Sequence, residues 1–267
     1  MTSTFEQEVK RGERFQFGKN WSNFLSVLDD ERIGKAENSL KQSLQVEDLQ
    51  GKSFLDIGSG SGLFSLAARR LGATVHSFDY DPQAVVCTQQ LKNRFFSDDK
   101  NWLIEKGSIL DSEYLNGLSQ FDIVYSWGVL HHTGSMWQAL ENAGSLVAMN
   151  GKLFIAIYND QGWKSQYWKI VKKQYNQNKL LRPILTIVHI PFLLIFPLIW
   201  RLLIGRFKGR RGMSAWFDLI DWIGGYPFEV AKPEEVHNFF EKREFKIVNH
   251  NLCLGKMGCN EFIFQKQ

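Results

Sequence analysis

The chain has 267 residues, 44% of them hydrophobic and 22% charged, a balance ordinary for a folded globular chain of one large domain or one domain with a cap. Its three cysteines, Cys87, Cys253 and Cys259, form no C-x-x-C pair and no Cys/His cluster at zinc spacing, and the first residues, MTSTFEQEVKRGERF, hold no apolar signal core. No structural metal and no secretion signal are therefore expected, and a reducing, cytoplasmic compartment is. The net charge of +4 hides an asymmetry: residues 161–217 carry 11 Lys and Arg and no Asp or Glu, leaving 21 basic against 28 acidic side chains elsewhere, a net of −7.

In chain order, residues 1–50 read as helical and polar, with aromatics gathered in RFQFGKNWSNFL. From Ser53 the pattern changes to short apolar runs alternating with helical periods. Strands are predicted over 53–57, 74–79, 101–108, 121–126 and 152–159. The helices between them run from Leu63 to Leu71, from Pro82 onward, and from Ser135 to Val147 with a stop near Asn150-Gly151. The alternation stops after Asn159 for about seventy residues and resumes with a helix, Pro233 to Arg243, and two strands, 245–250 and 260–265, read as a terminal hairpin. Seven strands alternating with helices predict a mostly parallel sheet covered on both faces.

The sharpest motif is Leu55-Asp56-Ile57-Gly58-Ser59-Gly60-Ser61-Gly62, at the first strand-to-helix turn. Glycines there let the backbone turn tightly and approach a ligand closely. A nicotinamide enzyme would want G-x-G-x-x-G, but Leu63 and Ser65 stand where the third glycine should be. Asp56 sits badly beside a pyrophosphate and suits a cofactor bearing an ammonium. Asp79 closes the second strand, where a carboxylate can accept ribose hydroxyls.

D-x-G-x-G-x-G after strand one, an acid ending strand two, and FDIVYSWGVLHH at strand four resemble the class I S-adenosylmethionine-dependent methyltransferases. The resemblance implies a Rossmann-like α/β fold with a helical insertion after strand five, and S-adenosyl-L-methionine as cofactor. By that resemblance Asp56, Gly58, Gly60 and Gly62 frame the methionine part, Asp79 holds the ribose, Ser108 and Ile109 flank the adenine, Ser126 and Trp127 line the cofactor, and Ser59 and Tyr80 complete the cofactor-binding set. Ser108 stands where many relatives carry Asp. Ser126-Trp127-Gly128-Val129 replaces the Asn-Pro-Pro-Tyr-like run of enzymes that methylate planar nitrogens, which favours O- or C-methylation of a small molecule. His131 and His132 follow strand four at the carboxyl edge, where a neutral imidazole can take a hydroxyl proton. His132 is preferred, since His131 continues the packed turn.

The resulting division is a helical lid over 1–50, a cofactor-binding core over 51–160, a basic and hydrophobic cap over 161–227, and completion of the core over 228–267. Phe15, Phe17, Asn20 and Trp21 are candidates for the lid. In the cap, Trp163, Tyr167, Ile170, Val171 and Tyr175 fall at helical spacing among Lys164, Lys169, Lys172 and Lys173, and Pro183 to Trp200 carries no formal charge. Cap or dimer interface, peripheral membrane contact through 183–211, and a true span all remain open, and Pro191 and Pro197 should break or kink a helix. Some quinone-pathway methyltransferases carry a membrane-contacting insertion near this place, with phenolic acceptors. RNA methylation and a non-catalytic membrane adaptor are the rivals, although a long apolar run suits a nucleic-acid partner poorly.

Overall fold

The computed structural model describes residues 4–196 and 215–267, with backbone alone at 19, 22, 23 and 215–218. Seven strands form one sheet in the order β3-β2-β1-β4-β5-β7-β6. They are β1 (Ser53–Ile57), β2 (Thr74–Asp79), β3 (Trp102–Lys106), β4 (Phe121–Trp127), β5 (Val147–Tyr158), β6 (Phe245–Asn251) and β7 (Cys259–Lys266). β1 to β5 pair in parallel, and β7 runs antiparallel to both β5 and β6. The expected hairpin therefore forms, with its second strand β7 against β5 and its first strand β6 at the sheet edge.

Strand side chains alternate between two cores, as a period of two requires. Leu55, Val124, Leu153, Ile155, Phe262 and Phe264 face one cluster, and Phe54, Ile123, Tyr125, Phe154 and Ile263 face the other. α3 (Asp30–Leu44) covers the second face through Ile33, Ala36, Leu40 and Leu44, with α4 (Leu63–Arg70) and α5 (Pro82–Phe95) beside it. α7 (Met136–Ser145) covers the first face through Met136, Ala139, Leu140 and Ala143. It is joined there by the short α6 (Ser112–Asn116) and by the helix Pro233–Glu241. The segment expected as a lid thus divides. Its first two helices, α1 (Phe5–Arg11) and α2 (Gly18–Ser26), lie toward the strand ends, while α3 packs on the sheet.

Two boundaries differ from the sequence reading. α7 ends at Ser145, and Asn150-Gly151 falls inside β5, where Asn150 takes a positive φ of 61°. The pairing of β4 with β5 shifts register between Phe121 and Ile123 at this place, an irregularity that a helix-stop signal imitates.

The cap comprises α8 (Trp163–Gln177), α9 (Leu181–Ile190), a π turn (Pro191–Ile195) and α10 (Ala215–Gly224), and α11 is the returning helix Pro233–Glu241. Pro191 does not break the helical path. Lacking an N–H and crowding the carbonyl four residues back, it widens the path into the π turn. Trp168, Val171, Tyr175, Leu219, Ile223 and Phe228 give the cap its own small core. Among the described residues no helix is long and apolar enough to cross a membrane. Pro197 and the basic run 201–211 lie outside the described residues.

Candidate functional site

At the carboxyl ends of β1 and β4, where the strand order reverses, the sheet opens into a cavity of about 520 Å³. This is the place where open α/β sheets bind ligands, and the size is that of a small-molecule site. Gly58 and Gly60 form its floor with φ of 75° and 56°. A Cβ at Gly58 would lie 2.5 Å from Val129 Cγ1, and one at Gly60 would lie 3.1 Å from the Trp21 ring, so both positions are held to glycine by space and by conformation. The loop is pinned to the end of β2: Gly58 N–H donates to Phe78 O at 2.8 Å, and Gly60 N–H donates to Asp79 Oδ2 at 2.9 Å. Asp79 also accepts from Asp81 N–H at 2.9 Å, which fixes its carboxylate at the rim.

Two acids meet in this floor. Asp56 is buried and accepts from the Ser65 hydroxyl, itself 2.8 Å from Ser77 Oγ. Burial pushes the Asp56 carboxyl up to about 7; the Ser65 hydroxyl opposes the rise and the negative charge of Asp79 adds to it. Burial likewise pushes Asp79 up to about 6, against the pull of the Gly60 and Asp81 N–H groups. Two carboxyls that resist ionisation side by side are stabilised as anions by a cation entering between them. The donor set therefore fits a cofactor with hydroxyls to accept and an ammonium to neutralise.

Of the residues singled out from sequence, Asp56, Gly58, Ser59, Gly60, Asp79, Tyr80, Ser108, Ile109, Trp127 and His132 line the cavity. Three others are near it without lining it. Gly62 is the N-cap of α4, and a Cβ there would strike Thr88 at 2.9 Å. The Ser126 hydroxyl is fully buried and donates to Ile57 O at 3.0 Å, stitching β4 to β1. His131 is fully buried behind the wall and stacks on Tyr158 with ring centroids 3.9 Å apart. Glu229 caps α7 by accepting from Met136 N–H at 3.0 Å.

The lid side is closed by Phe15, Phe17 and Trp21 together with Phe5 and Arg14. Arg14 is the latch: it donates to Glu8 at 2.7 Å and to His132 O at 2.9 Å, and its guanidinium lies 5.0 Å from the Tyr80 ring centroid. Asn20 reaches across to Asp221 Oδ1 at 2.5 Å, joining lid to cap. At the far end stand His132, Tyr158, Asp221, Trp222 and Glu261. Glu261 accepts from Trp127 Nε1 at 2.8 Å. Arg14, Tyr158, Asp221, Trp222 and Glu261 are not singled out as site residues by the sequence, and the fold brings them to the cavity.

His132 offers its acceptor face by elimination. Its Nδ1 lies 2.6 Å from Pro227 O and so carries the proton, which leaves Nε2 with a lone pair. Burial pushes this imidazole down to about 3; the Pro227 carbonyl opposes that, and the positive charges of Lys172 and Arg14 reinforce it. The ring is neutral throughout the physiological range.

Residues 31–193 match a family model described as a methyltransferase domain. A ubiquinone biosynthesis O-methyltransferase of Rhodopseudomonas palustris is 28% identical over 151 residues, 57% of this chain and 56% of the relative. A ribosomal protein L11 methyltransferase of Methylococcus capsulatus is 41% identical over 69 residues, 26% of this chain and 24% of the relative. The chain thus spans little more than half the length of the first of these relatives. Among solved structures, the magnesium protoporphyrin IX methyltransferase of Synechocystis PCC 6803 with bound SAH superposes with a TM-score of 0.53 at 13% identity, covering 100% of this chain and 90% of the other. The N-methyltransferase NodS of Bradyrhizobium japonicum WM9 in complex with S-adenosyl-L-homocysteine gives 0.53 at 16% identity, covering 94% and 99%. These two likenesses are of fold.

Proposed function

The chain belongs to the methyltransferase-domain family, and from that premise we propose that it transfers a methyl group from S-adenosyl-L-methionine to the hydroxyl of a small, apolar or aromatic acceptor. The observation that carries the reading is one cavity with the paired carboxyls Asp56 and Asp79 at its glycine floor and the lone pair of His132 toward its other end. The cofactor, when bound, supplies a methyl group already activated on a sulfonium. The protein's part is alignment and one proton. Asp79 accepts the ribose hydroxyls and Asp56 faces the ammonium. Phe15, Phe17 and Trp21 exclude water above, and His132 Nε2 takes the hydroxyl proton as the acceptor oxygen bonds to the methyl. Alignment alone is worth roughly 7–11 kcal/mol of barrier. The ubiquinone-pathway relative acts on oxygen by its name, which agrees with an apolar, aromatic acceptor end.

Calorimetric titration with S-adenosylmethionine, S-adenosylhomocysteine and NAD tests the cofactor. The first two should bind and NAD should not, and Asp79→Ala should weaken both by at least about tenfold, the loss of a charged hydrogen-bond partner. Binding of NAD, or an Asp79→Ala variant with unchanged affinity, would sink the assignment.

A separate observation supports peripheral lipid contact by the cap. Leu180, Ile184, Ile187, Val188, Phe192, Ile195 and Phe196 are all exposed. Their spacing places them along one stripe of the α9–π path. Trp163, Tyr167 and Ile170 continue exposed apolar surface on α8, with Lys164, Lys173 and Lys179 exposed nearby. An apolar stripe with basic and no acidic company suits an anionic bilayer surface, and would let a lipophilic acceptor reach the site from the membrane.

A further inference from the structure

Lys172 has no place in the reaction just described, yet it is among the largest fully buried side chains of the molecule. It lies on α8 inside the cap core, where Nζ donates to the Trp222 backbone carbonyl. Three aromatic rings cage it, with centroids at 4.5 Å for Trp222, 4.9 Å for Phe228 and 6.0 Å for Trp168. Its electrostatic partner is Asp221 of α10, and its charge is felt by His131 and His132 of the turn after β4. Trp222, Asp221 and His132 line the cavity, and Lys172 stands one layer behind them. A box of aromatic rings beside a carboxylate is a receptor for an organic cation. Here the protein fills that receptor with its own ammonium.

Resting on the methyltransferase reading above, we propose that Lys172 is a specificity-determining, positioning residue. Its buried ammonium occupies the cage and offsets Asp221, and so tunes the acceptor end of the cavity to a hydroxyl compound that is neutral or anionic and against one carrying an ammonium. With Asp221 offset by the buried ammonium, a cationic acceptor finds no uncompensated charge of that carboxylate to attract it in a low-dielectric wall, where charges act far more strongly than in water. An acceptor bearing a carboxylate, or a phenol ionising as its proton leaves, is spared the repulsion that an uncompensated Asp221 would exert. The Trp222 indole N–H points the same way: it is buried without a hydrogen-bond partner among the described residues, and an indole can only donate. Lys172 touches neither the acceptor nor the reacting oxygen, and acts through the wall it charges.

Burial pushes the Lys172 ammonium down to about 7, with Asp221 pulling it back up. The filter is therefore charged below about pH 7 and fades above it, and Asp221 is then left to attract a cation. The groups that face Lys172 are Asp221 from α10 and His131 and His132 from the turn; the other α8 lysines at 164, 169 and 173 are exposed.

The test uses the full chain saturated with S-adenosylhomocysteine and three probes of one ring size, benzoate, phenol and benzylammonium, titrated calorimetrically at pH 6 and pH 8.5. The wild-type chain should prefer benzoate to benzylammonium by about tenfold or more at pH 6, and the preference should shrink at pH 8.5. Lys172→Met should shift the preference toward benzylammonium and remove its pH step. Lys172→Gln, a shorter and neutral side chain that still carries N–H donors for the Trp222 carbonyl, should do the same if the Met variant folds poorly. The titration of the His132 ring, followed by NMR without any ligand, should move to higher pH in both variants. A benzoate-to-benzylammonium ratio equal in all three proteins, or an unmoved His132 midpoint, overturns the proposal. Failure to bind S-adenosylhomocysteine would instead count against the methyltransferase reading, and the ligand-free His132 titration would still decide the role of Lys172.

Discussion

Neighbouring imidazoles in this protein hold opposite tautomers. His131 Nδ1 accepts from the Tyr158 N–H at 3.3 Å, so its proton sits on Nε2, whereas His132 carries its proton on Nδ1 toward Pro227 O. Among the described residues His131 Nε2 is buried without a hydrogen-bond partner, and burial holds its ring well below the ordinary histidine range. The difference assigns the roles: His131 packs under Tyr158, and His132 keeps an open lone pair at the cavity. Burial disfavours the imidazolium of His132, and the positive charges of Lys172 and Arg14 add to the penalty. During transfer the partner would be the oxygen whose proton it has just accepted. His132→Gln should therefore lower kcat by roughly 10²–10⁴, the usual worth of a general base, with the affinity for S-adenosylhomocysteine unchanged. Single-turnover rates beside calorimetry separate the two quantities, and an unaltered rate would leave His132 as a wall residue only.

On the scale of elements, legibility in the sequence followed the strength of local pattern. β1 and β2 were readable to the residue because apolar runs are bounded by Gly and Asp, and the glycine loop followed from its position between strand and helix. The insertion of β7 between β5 and β6 was not readable, since sheet order is decided by tertiary pairing. By residue type Lys172 groups with the other α8 lysines, yet it stands four residues after Trp168 and three before Tyr175, on the buried face they define. Helical spacing placed it inside while residue type argued against it, and the spacing prevailed because rings and a carbonyl were there to receive the ammonium. The outward face of the cap is the complementary case. The double variant Ile184→Asp with Ile187→Asp sets two charges in the exposed stripe and leaves the cap core untouched. It should abolish flotation with vesicles rich in anionic lipid while preserving cofactor binding. Equal flotation of variant and wild type would remove the stripe from membrane contact, and a change of oligomeric state would assign it to a second copy.

Across the whole molecule, lid, strand ends and cap converge on one cavity whose buried titratable groups pull in opposite directions with pH. His132, displaced from 6.5 to about 3, and His131, displaced the same way, contribute stability that is present above the unfolded value near 6.5 and lost as pH falls toward 3. Asp56 and Asp79, raised from 3.8 to about 7 and about 6, favour the empty folded state at low pH, and that contribution is lost as pH rises through 6 to 7. Near neutrality the empty site thus holds two carboxyls whose ionisation works against the fold. A cofactor whose ammonium pairs with Asp56 and whose ribose hydroxyls donate to Asp79 reverses that penalty by favouring both as anions. S-adenosylhomocysteine should accordingly bind more tightly at pH 8 than at pH 5.5, by up to about tenfold per pH unit for each carboxyl that must lose a proton. It should also raise the unfolding temperature more at the higher pH. In Asp79→Asn one of the two titrations is gone, so the slope of affinity against pH should fall by about half. An affinity flat from pH 5.5 to 8 in the wild-type chain would mean that Asp56 and Asp79 are already ionised before the cofactor binds, and that their deprotonation is not coupled to binding.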